Sequence, residues 1–250
     1  MKDLNIARKI VDQVSFHNNY RQLIEIGAGM GVLTQFLLKI PGKEIIAAEI
    51  DQESIDYLDA HFPELKNNIL KGDFLRLNLA LLYKEPIGII GNFPYNISSQ
   101  IFFKILEHKD LVQEVVCMLQ REVAQRIASP PGNKDYGILS VLLQAYYKIE
   151  YKFTVDESVF QPPPKVKSGV IRLERNQKMR LECDDKLYFK VVKKAFQMRR
   201  KTLWNNLKEF SVPVEIIGAD FAGKRAEQLG VEDFIELTLR IEKYNGSKGV

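Results

Sequence analysis

The sequence has few of the residues that build metal sites or disulfide frameworks. Its 250 residues include two cysteines, Cys117 and Cys183, and three histidines, His17, His61 and His108. The cysteines do not have the spacing of a zinc motif, and two of them give no disulfide framework. The histidines have no acid or cysteine partner in sequence, so we expect surface residues rather than catalytic bases. The sequence therefore predicts no metal site.

Long apolar stretches are also absent. No segment resembles a secretory leader or a membrane-spanning helix, and we find no internal repeat or low-complexity tract. Together with the low cysteine content, this predicts a cytoplasmic protein with no membrane partner. With 46% hydrophobic residues, the chain can bury one large core, or a large and a small one.

Charge is distributed unevenly along the chain. Residues 1–170 contain 19 Lys and Arg against 20 Asp and Glu, whereas residues 171–250 contain 17 against 12. In this basic part, the triplet Arg199, Arg200 and Lys201 follows lysines at helical spacing. One interpretation is a clamp on a nucleic-acid backbone, and the other is a solvated helix face.

Strand-like and helix-like hydrophobic patterns alternate up to about Leu173. This alternation predicts an α/β fold with a mainly parallel sheet, and a mostly helical pattern follows from about Asn176. We therefore predict two domains, residues 1–175 and 176–250. The predicted helices are 32–39, 54–60, 98–108, 122–128 and 226–229, and the two last predicted strands are 146–153 and 168–173.

A glycine-rich turn follows the first predicted strand. Gly27, Gly29 and Gly31 separate this apolar segment from a predicted helix, as in folds that hold a ligand against the backbone. The third glycine comes one residue earlier than in the dinucleotide fingerprint. This difference favours a nucleoside ligand over a pyrophosphate.

Acidic residues lie at or beside the ends of successive predicted strands. Glu49 comes about 20 residues after the turn, where a carboxylate can bind both hydroxyls of a ribose. Asp51 is the alternative there, or else it caps the next helix. Asp73 offers an acceptor to an adenine amino group and is otherwise a turn residue. With Glu25 facing a methionine amino group, unless it is a solvated strand residue, these acids predict a pocket for S-adenosylmethionine.

The most informative motif is Asn92-Phe93-Pro94-Tyr95, which follows an apolar run. Adenine N6 is a poor nucleophile because its lone pair is delocalised into the ring. Acceptors on the Asn92 side chain and the Pro94 carbonyl would restore electron density on that nitrogen, while Tyr95 stacks on the base. The alternative is a turn in which Asn92 caps a helix and Pro94 fixes the backbone.

An aromatic residue before three prolines offers a second face for such a base. Taking a base out of its stack costs a few kcal/mol, and stacking on Phe160 would offset about 1–3 kcal/mol. The alternative is a core aromatic beside a rigid connector. Lys165 and Lys167 follow in the same segment, where they either bind phosphates or are merely solvated.

Together these motifs resemble the KsgA-type ribosomal RNA adenine N6,N6-dimethyltransferases, which are related to the Erm methyltransferases. The resemblance covers residues 3 to about 240 and also rests on segments 120–124 and 160–166. It implies a Rossmann-like class I methyltransferase domain with a seven-stranded sheet, followed by a small all-helical domain that binds RNA or the ribosome. The activity implied is double methylation of two adjacent adenines near the 3′ end of small-subunit RNA.

The resemblance also implies a monomer that acts on the small ribosomal subunit and converts S-adenosylmethionine to S-adenosylhomocysteine without a metal. It places target-base contacts on Asn92, Tyr95 and Phe160, beside the predicted role of Pro94. The predicted cofactor-binding residues are Glu25, Gly27, Gly29, Glu49, Asp73, Phe74 and Asn92.

One departure from the family pattern concerns the N-terminus. The family carries a basic segment with a Gly-Gln-x-Phe-Leu motif, whereas this sequence begins at Met1-Lys2-Asp3, where that motif should already have ended. We expect a truncated chain whose fold survives but whose cofactor binding is weaker.

Two other functions remain open from the sequence alone. The first is an Erm-like enzyme that methylates large-subunit RNA. The second is a non-catalytic ribosome assembly factor that keeps the fold and binds RNA only.

Overall fold

The computed structural model describes residues 2–15, 20–177 and 180–247, and the chain divides into two compact units. The first, called here the sheet unit, comprises Met1–Gln125 and Lys148–Arg175. The second, called the helical unit, comprises Arg126–Tyr147 and Asn176–Val250.

A seven-stranded sheet organises the sheet unit. Its strands are β1 (Gln22–Ile26), β2 (Glu44–Glu49), β3 (Ile69–Lys71), β4 (Ile87–Asn92), β5 (Val112–Gln120), β6 (Tyr147–Val155) and β7 (Ser168–Arg175). They lie in the order β3-β2-β1-β4-β5-β7-β6. Neighbouring strands from β3 to β5 pair in parallel, and β7 pairs antiparallel with β5. The predicted α/β fold with a mainly parallel sheet is confirmed.

The central strands are apolar because both of their faces are buried, as in other parallel sheets. In β5, five consecutive residues from Val115 to Leu119 have no exposed surface. The helices that begin in this unit are α1 (Leu4–Val11), α2 (Thr34–Leu37), α3 (Gln52–His61), α4 (Leu79–Leu82), α5 (Ser98–Glu107) and α6 (Arg121–Ala128). The predicted helix 32–39 is shorter than expected, since Gly31 has a φ of +75° and the helix starts only at Thr34.

Within the part of the chain that the structure describes, the helical unit contains the end of α6 and six further helices. These are α7 (Ile138–Gln144), α8 (Asp185–Ala195), α9 (Leu203–Leu207), α10 (Val214–Ile217), α11 (Ala219–Ala222) and α12 (Val231–Ser247). The predicted helix at 226–229 is a short 3-10 turn, Ala226–Gln228. Helices α7, α9, α10, α11 and α12 had no separate prediction.

The units differ from the predicted domains at one segment. The sequence placed all of residues 1–175 in the first domain, whereas residues 126–147 belong to the helical unit. The physical reason is packing, because α7 lies against α8 and α12. A backbone hydrogen bond from Gly132 N to Glu227 O, 2.7 Å long, connects the same segment to the 3-10 turn Ala226–Gln228.

None of the described helices combines the length and apolar character needed to cross a membrane. A search of the same residues found no group of three or more His, Cys, Asp and Glu side chains arranged to hold a metal ion.

Candidate active site

Strands β1, β2 and β4 bring their carboxyl ends together at one edge of the sheet. Ile26, at the end of β1, is paired with Ala48 on one side and Gly91 on the other. Strand order reverses at β1, and in open α/β sheets ligands bind in the crevice at such a switch point.

The glycine turn after β1 lies in this crevice. Gly27, Gly29 and Gly31 all have positive φ, at +69°, +52° and +75°. A Cβ atom at Gly31 would lie 2.3 Å from Cε2 of Phe62, so a side chain at this position would require the Phe62 ring to move. A Cβ at Gly27 would lie 4.0 Å from the Asn92 carbonyl oxygen, which places the turn next to the end of β4.

Glu49 at the end of β2 is connected to the turn. Its Oε2 accepts from Gly29 N at 2.8 Å, and its Oε1 accepts from the N–H groups of Ile50 and Asp51 at 2.8 and 3.0 Å. A carboxylate offers about four acceptor positions. Oε2 therefore keeps room for one further donor, such as a hydroxyl group.

Asp51, the alternative to Glu49, caps α3 instead. Its carboxylate accepts from Ser54 N at 2.9 Å and from Ser54 Oγ at 2.8 Å. Those bonds lower the pKa of this exposed carboxyl. The capping role that the sequence offered for Asp51 is confirmed.

Glu25 in β1 is buried, with 1% of its surface exposed, so the alternative of a solvated strand residue is wrong. Its Oε2 accepts from Thr34 Oγ1 at 2.6 Å. Burial raises the pKa of this carboxyl to about 8, and the nearby charge of Glu49 adds to the increase while the Thr34 bond opposes it. Thr34 was not predicted from the sequence.

Asp73 follows β3 at the same edge. The turn that carries Asp73 is anchored to β2 by Gly72 N, which donates to the Glu49 carbonyl oxygen at 2.8 Å. Asp73 also caps a 3-10 turn by accepting from Leu75 N at 2.9 Å, as its turn alternative predicted. Phe74 is 6% exposed. Contacts of either residue with a cofactor stay a prediction.

Asn92 is the last residue of β4 and does not cap a helix. Helix α5 begins at Ser98, and its N-cap residue is Ile97. The Asn92 Oδ1 atom is buried and has no hydrogen-bond partner in the part of the chain that the structure describes. Such an acceptor costs about 1–3 kcal/mol unless a donor reaches it. This residue is therefore prepared to receive an N–H donor.

Tyr95 lies in the turn that follows Asn92. Ile97 N donates to Pro94 O at 3.1 Å, which confirms the predicted turn and leaves one lone pair on that oxygen. The Tyr95 hydroxyl lies 2.6 Å from Oγ of Ser168, the fully buried first residue of β7. Ser168 could not be predicted as a partner of Tyr95, because the contact joins residues 73 positions apart.

Phe160 lies in the loop between β6 and β7. Its side chain is 9% exposed and belongs to the hydrophobic core cluster. The alternative of a core aromatic therefore describes the ring in this conformation. Stacking of Phe160 on a base stays a prediction.

The predicted RNA-binding residues have different environments. Lys167 is ion-paired with Asp156 at 2.9 Å, whereas Lys165 is exposed and has no ion pair among the described residues. In the helical unit, Arg199 Nη2 donates to the carbonyls of Lys134 and Tyr136 at 2.7 and 2.8 Å. Arg200 and Lys201 are exposed.

Of the three histidines, two can be placed. The His61 side chain is exposed and its ring stacks on Tyr57 with centroids 3.9 Å apart. The surface interpretation is wrong for His108, whose side chain is 8% exposed and whose pKa is lowered by burial. His17 lies outside the described residues.

Comparison with known proteins agrees with this geometry. The family model for ribosomal RNA adenine dimethylase matches residues 1–243. The chain is 54% identical over 238 residues to ribosomal RNA small subunit methyltransferase A of Cytophaga hutchinsonii, covering 95% of this chain and 92% of that protein. It is 50% identical to the protein of the same name from Parabacteroides distasonis, covering 98% and 91%.

Solved structures share the fold. A dimethyladenosine transferase from Plasmodium falciparum superposes with a TM-score of 0.82 at 25% identity, covering 98% of both chains. The 23S rRNA methyltransferase ErmE gives a TM-score of 0.70 at 23% identity, covering 97% of this chain and 99% of that one. The sheet order, the glycine turn and the acidic strand ends define a Rossmann-like class I methyltransferase. Within that class, the chain belongs to the ribosomal RNA adenine dimethylase family.

Proposed function

We propose that this protein is an S-adenosylmethionine-dependent enzyme that dimethylates N6 of two adjacent adenines near the 3′ end of small-subunit ribosomal RNA. The observation that carries the proposal is Asn92 Oδ1, a buried acceptor without a partner among the described residues, three residues before the predicted target-base contact, Tyr95. The names of the 54% and 50% identical relatives favour small-subunit RNA over large-subunit RNA.

The chemistry follows from the acceptors in the turn. An adenine amino group has two hydrogens, and Asn92 Oδ1 and the free lone pair of Pro94 O can each accept one of them. Accepting both hydrogens keeps electron density on N6, so no deprotonating base is needed before attack. Tyr95 is partly exposed and offers its ring face to the base and to developing positive charge.

The residues at the crevice fit S-adenosylmethionine, which supplies an electrophilic methyl group when bound. Glu49 would take a ribose hydroxyl on the remaining acceptor position of Oε2, and a second hydroxyl would have to replace the bond from Gly29 N. Glu25 would face the methionine amino group, and Asp73, beside Phe74, the adenine amino group. The positive φ values of Gly27 and Gly29 allow the backbone to approach the ligand.

The proposal extends to partner and place. The partner would be the small ribosomal subunit in the cytoplasm, and the protein would act as a monomer. Metal-free catalysis is part of the proposal, because the acceptors act directly on N6.

Substitution Asn92→Ala tests the proposed role. We expect methyl transfer to unmethylated small subunits to fall at least about 100-fold, the size typical of losing a preorganised polar group in a catalytic site. Binding to the subunits should persist. Asn96→Ala is the matched control, because Asn96 is exposed in the same turn and should retain the wild-type rate.

Binding of S-adenosylmethionine, measured by calorimetry, separates loss of chemistry from loss of the cofactor site. A variant Asn92→Ala that binds subunits and methylates them at the wild-type rate would refute the assigned role. A wild-type protein that binds subunits but never transfers a methyl group would indicate an RNA-binding assembly factor instead.

A further inference from the structure

A cavity of about 310 Å³ lies beside the candidate active site within the sheet unit. It is bounded by the end of β5, the start of α6 and the loop between β6 and β7. Among its lining residues are Gln120, Arg121, Glu157, Lys165, Val166 and Lys167.

The cavity is adjacent to the tyrosine assigned to the target base. Gln120 is paired with Ser168 across β5 and β7, and Ser168 Oγ lies 2.6 Å from the Tyr95 hydroxyl. Arg121 N donates to Lys167 O at 3.0 Å, which holds the two sides of the cavity together. A chain that places one nucleotide at Tyr95 therefore has its neighbour within reach of the cavity.

Two cations in the cavity are available to a phosphate. Arg121 and Lys165 are exposed and form no ion pair within the described part of the chain, whereas Asp156 already holds Lys167. A guanidinium group binds phosphate oxygens through its fork of donors, and an ammonium group adds a point charge. These two side chains suit one phosphodiester.

The other polar groups suit a base rather than a second phosphate. The side-chain amide of Gln120 is partly exposed and makes no hydrogen bond within residues 2–15, 20–177 and 180–247. A glutamine amide can pair with N6 and N7 of adenine in a bidentate manner. The Glu157 Oε2 atom is buried without a partner among the described residues and would accept from an amino group. Val166, 42% exposed, supplies an apolar surface for a ring.

We propose that this cavity binds the nucleotide next to the target adenine, with Gln120 on the base edge and Arg121 and Lys165 on the phosphate. This rests on the proposed function, in which the neighbour of the target is itself an adenine. The volume of the cavity lies at the lower end of the range for small-molecule sites, about 300–1,000 Å³, and so fits a single nucleotide.

The base contact is tested with small subunits reconstituted from two RNAs. In one RNA the neighbour is adenine, and in the other it is purine riboside, which lacks the amino group. We expect the wild-type protein to methylate the target in the second RNA at least about fivefold more slowly, since a bidentate contact to a base gives that discrimination. The variant Gln120→Ala should lose most of this discrimination, because only the Glu157 contact to the amino group would be left.

A second variant guards against a folding defect. Gln120→Met keeps the length of the side chain but removes both its donor and its acceptor, so it should lose the discrimination to the same extent. Binding of S-adenosylmethionine by calorimetry should match the wild type for both variants. Wild-type discrimination retained in either variant would overturn the proposal, as would equal wild-type rates on the two RNAs. No methyl transfer by the wild type to either RNA would instead overturn the proposed function, and this inference with it.

The phosphate contact has its own readout. Each phosphate contact on a single strand contributes about 0.7 to the slope of log affinity against log salt. Because both side chains are assigned to one phosphate, we expect the slope for small subunits to fall by about 0.7 in Arg121→Ala/Lys165→Ala. The matched control Lys66→Ala/Lys84→Ala removes two exposed charges of the same unit outside the cavity and should keep the wild-type slope. An unchanged slope in the cavity variant would exclude the phosphate contact.

Discussion

At the residue scale, one hydrogen bond fixes the position of Tyr95. The bond to Ser168 Oγ is 2.6 Å long, and the serine is fully buried at the start of β7. A phenol ring held at its hydroxyl end presents a defined face to a base. Preorganisation of this kind lowers the cost of ordering the side chain when the substrate binds.

Removing this bond should slow methyl transfer without unfolding the protein. For Ser168→Ala we expect the rate to fall about two- to tenfold, the equivalent of one hydrogen bond of about 0.5–1.5 kcal/mol. Tyr95→Phe should behave alike, and the double variant should be no slower than either single variant. Tyr151→Phe is the control, because Tyr151 OH bonds Thr154 Oγ1 instead. Multiplicative losses in the double variant would argue against the coupling.

The buried carboxyl group of Glu25 should make the stability of the protein depend on pH. Burial raises the pKa of its carboxyl in the folded protein to about 8, above the unfolded value near 4.5. The folded state therefore binds more protons between these values, and stability falls as pH rises from about 4.5 to about 8. The contribution reaches at most about 1.4 kcal/mol for each pH unit crossed.

The variant Glu25→Gln should lack this dependence on pH. We expect chemical denaturation to give similar unfolding free energies for the variant and the wild type at pH 5. At pH 9 the variant should have the higher unfolding free energy. Parallel curves of unfolding free energy against pH would contradict the assigned pKa.

Several site residues were predictable because each lies at or just after the end of a strand that the sequence pattern reveals. Glu49, Asp73 and the segment from Asn92 to Tyr95 follow strands that pair in parallel, so they meet at one edge. The contact of Ser168 with Tyr95 and the pairing of Gln120 with Ser168 were not predictable. Ser168 and Gln120 reach this edge only through the antiparallel pairing of β5 with β7, a register that the sequence does not specify.

At the element scale, the glycine turn sets where α2 begins and how closely β1 approaches α3. Gly31 and Gly29 both have positive φ, but only Gly31 faces the Phe62 ring. The surrounding strands were predictable because strand-like and helix-like hydrophobic patterns alternate along the chain. Packing of α7 on α8 and α12 was not, because the sequence around α7 has the same local pattern as the α/β region.

Substitutions in this turn should separate backbone strain from steric overlap. Gly29→Ala has no atom within 4 Å of the new Cβ, so it should cost only the about 1–2 kcal/mol of a left-handed residue. Gly31→Ala adds a Cβ at 2.3 Å from Phe62 and should lower the unfolding free energy by clearly more. Equal losses in urea denaturation would show that the Phe62 contact does not constrain the turn.

At the scale of the whole molecule, RNA binding is predicted to involve basic residues of the helical unit as well. The triplet at 199–201 is not uniform, because Arg199 donates to two backbone carbonyls while Arg200 and Lys201 are exposed. Sequence alone could not separate these roles, since the three residues are adjacent and alike in charge.

The two kinds of residue should respond differently to substitution. Arg200→Ala/Lys201→Ala should reduce the salt slope of small-subunit binding by about 1.4, at unchanged stability, if both side chains contact phosphates. Arg199→Ala should instead cost about 1 kcal/mol of stability through its lost hydrogen bonds. Lys224→Ala/Lys243→Ala is the charge-matched control in the same unit. A control variant with the same loss of slope would show that net charge alone is responsible.

The central claim is methylation of adenine N6 in small-subunit RNA, and nucleoside analysis tests it most directly. The protein is incubated with labelled S-adenosylmethionine and small subunits that lack the modification, with large subunits in parallel. The RNA is then digested and its nucleosides are identified by mass spectrometry. Labelled N6,N6-dimethyladenosine from small subunits alone is the predicted result. Label in large-subunit RNA, or none in either subunit, would contradict the account.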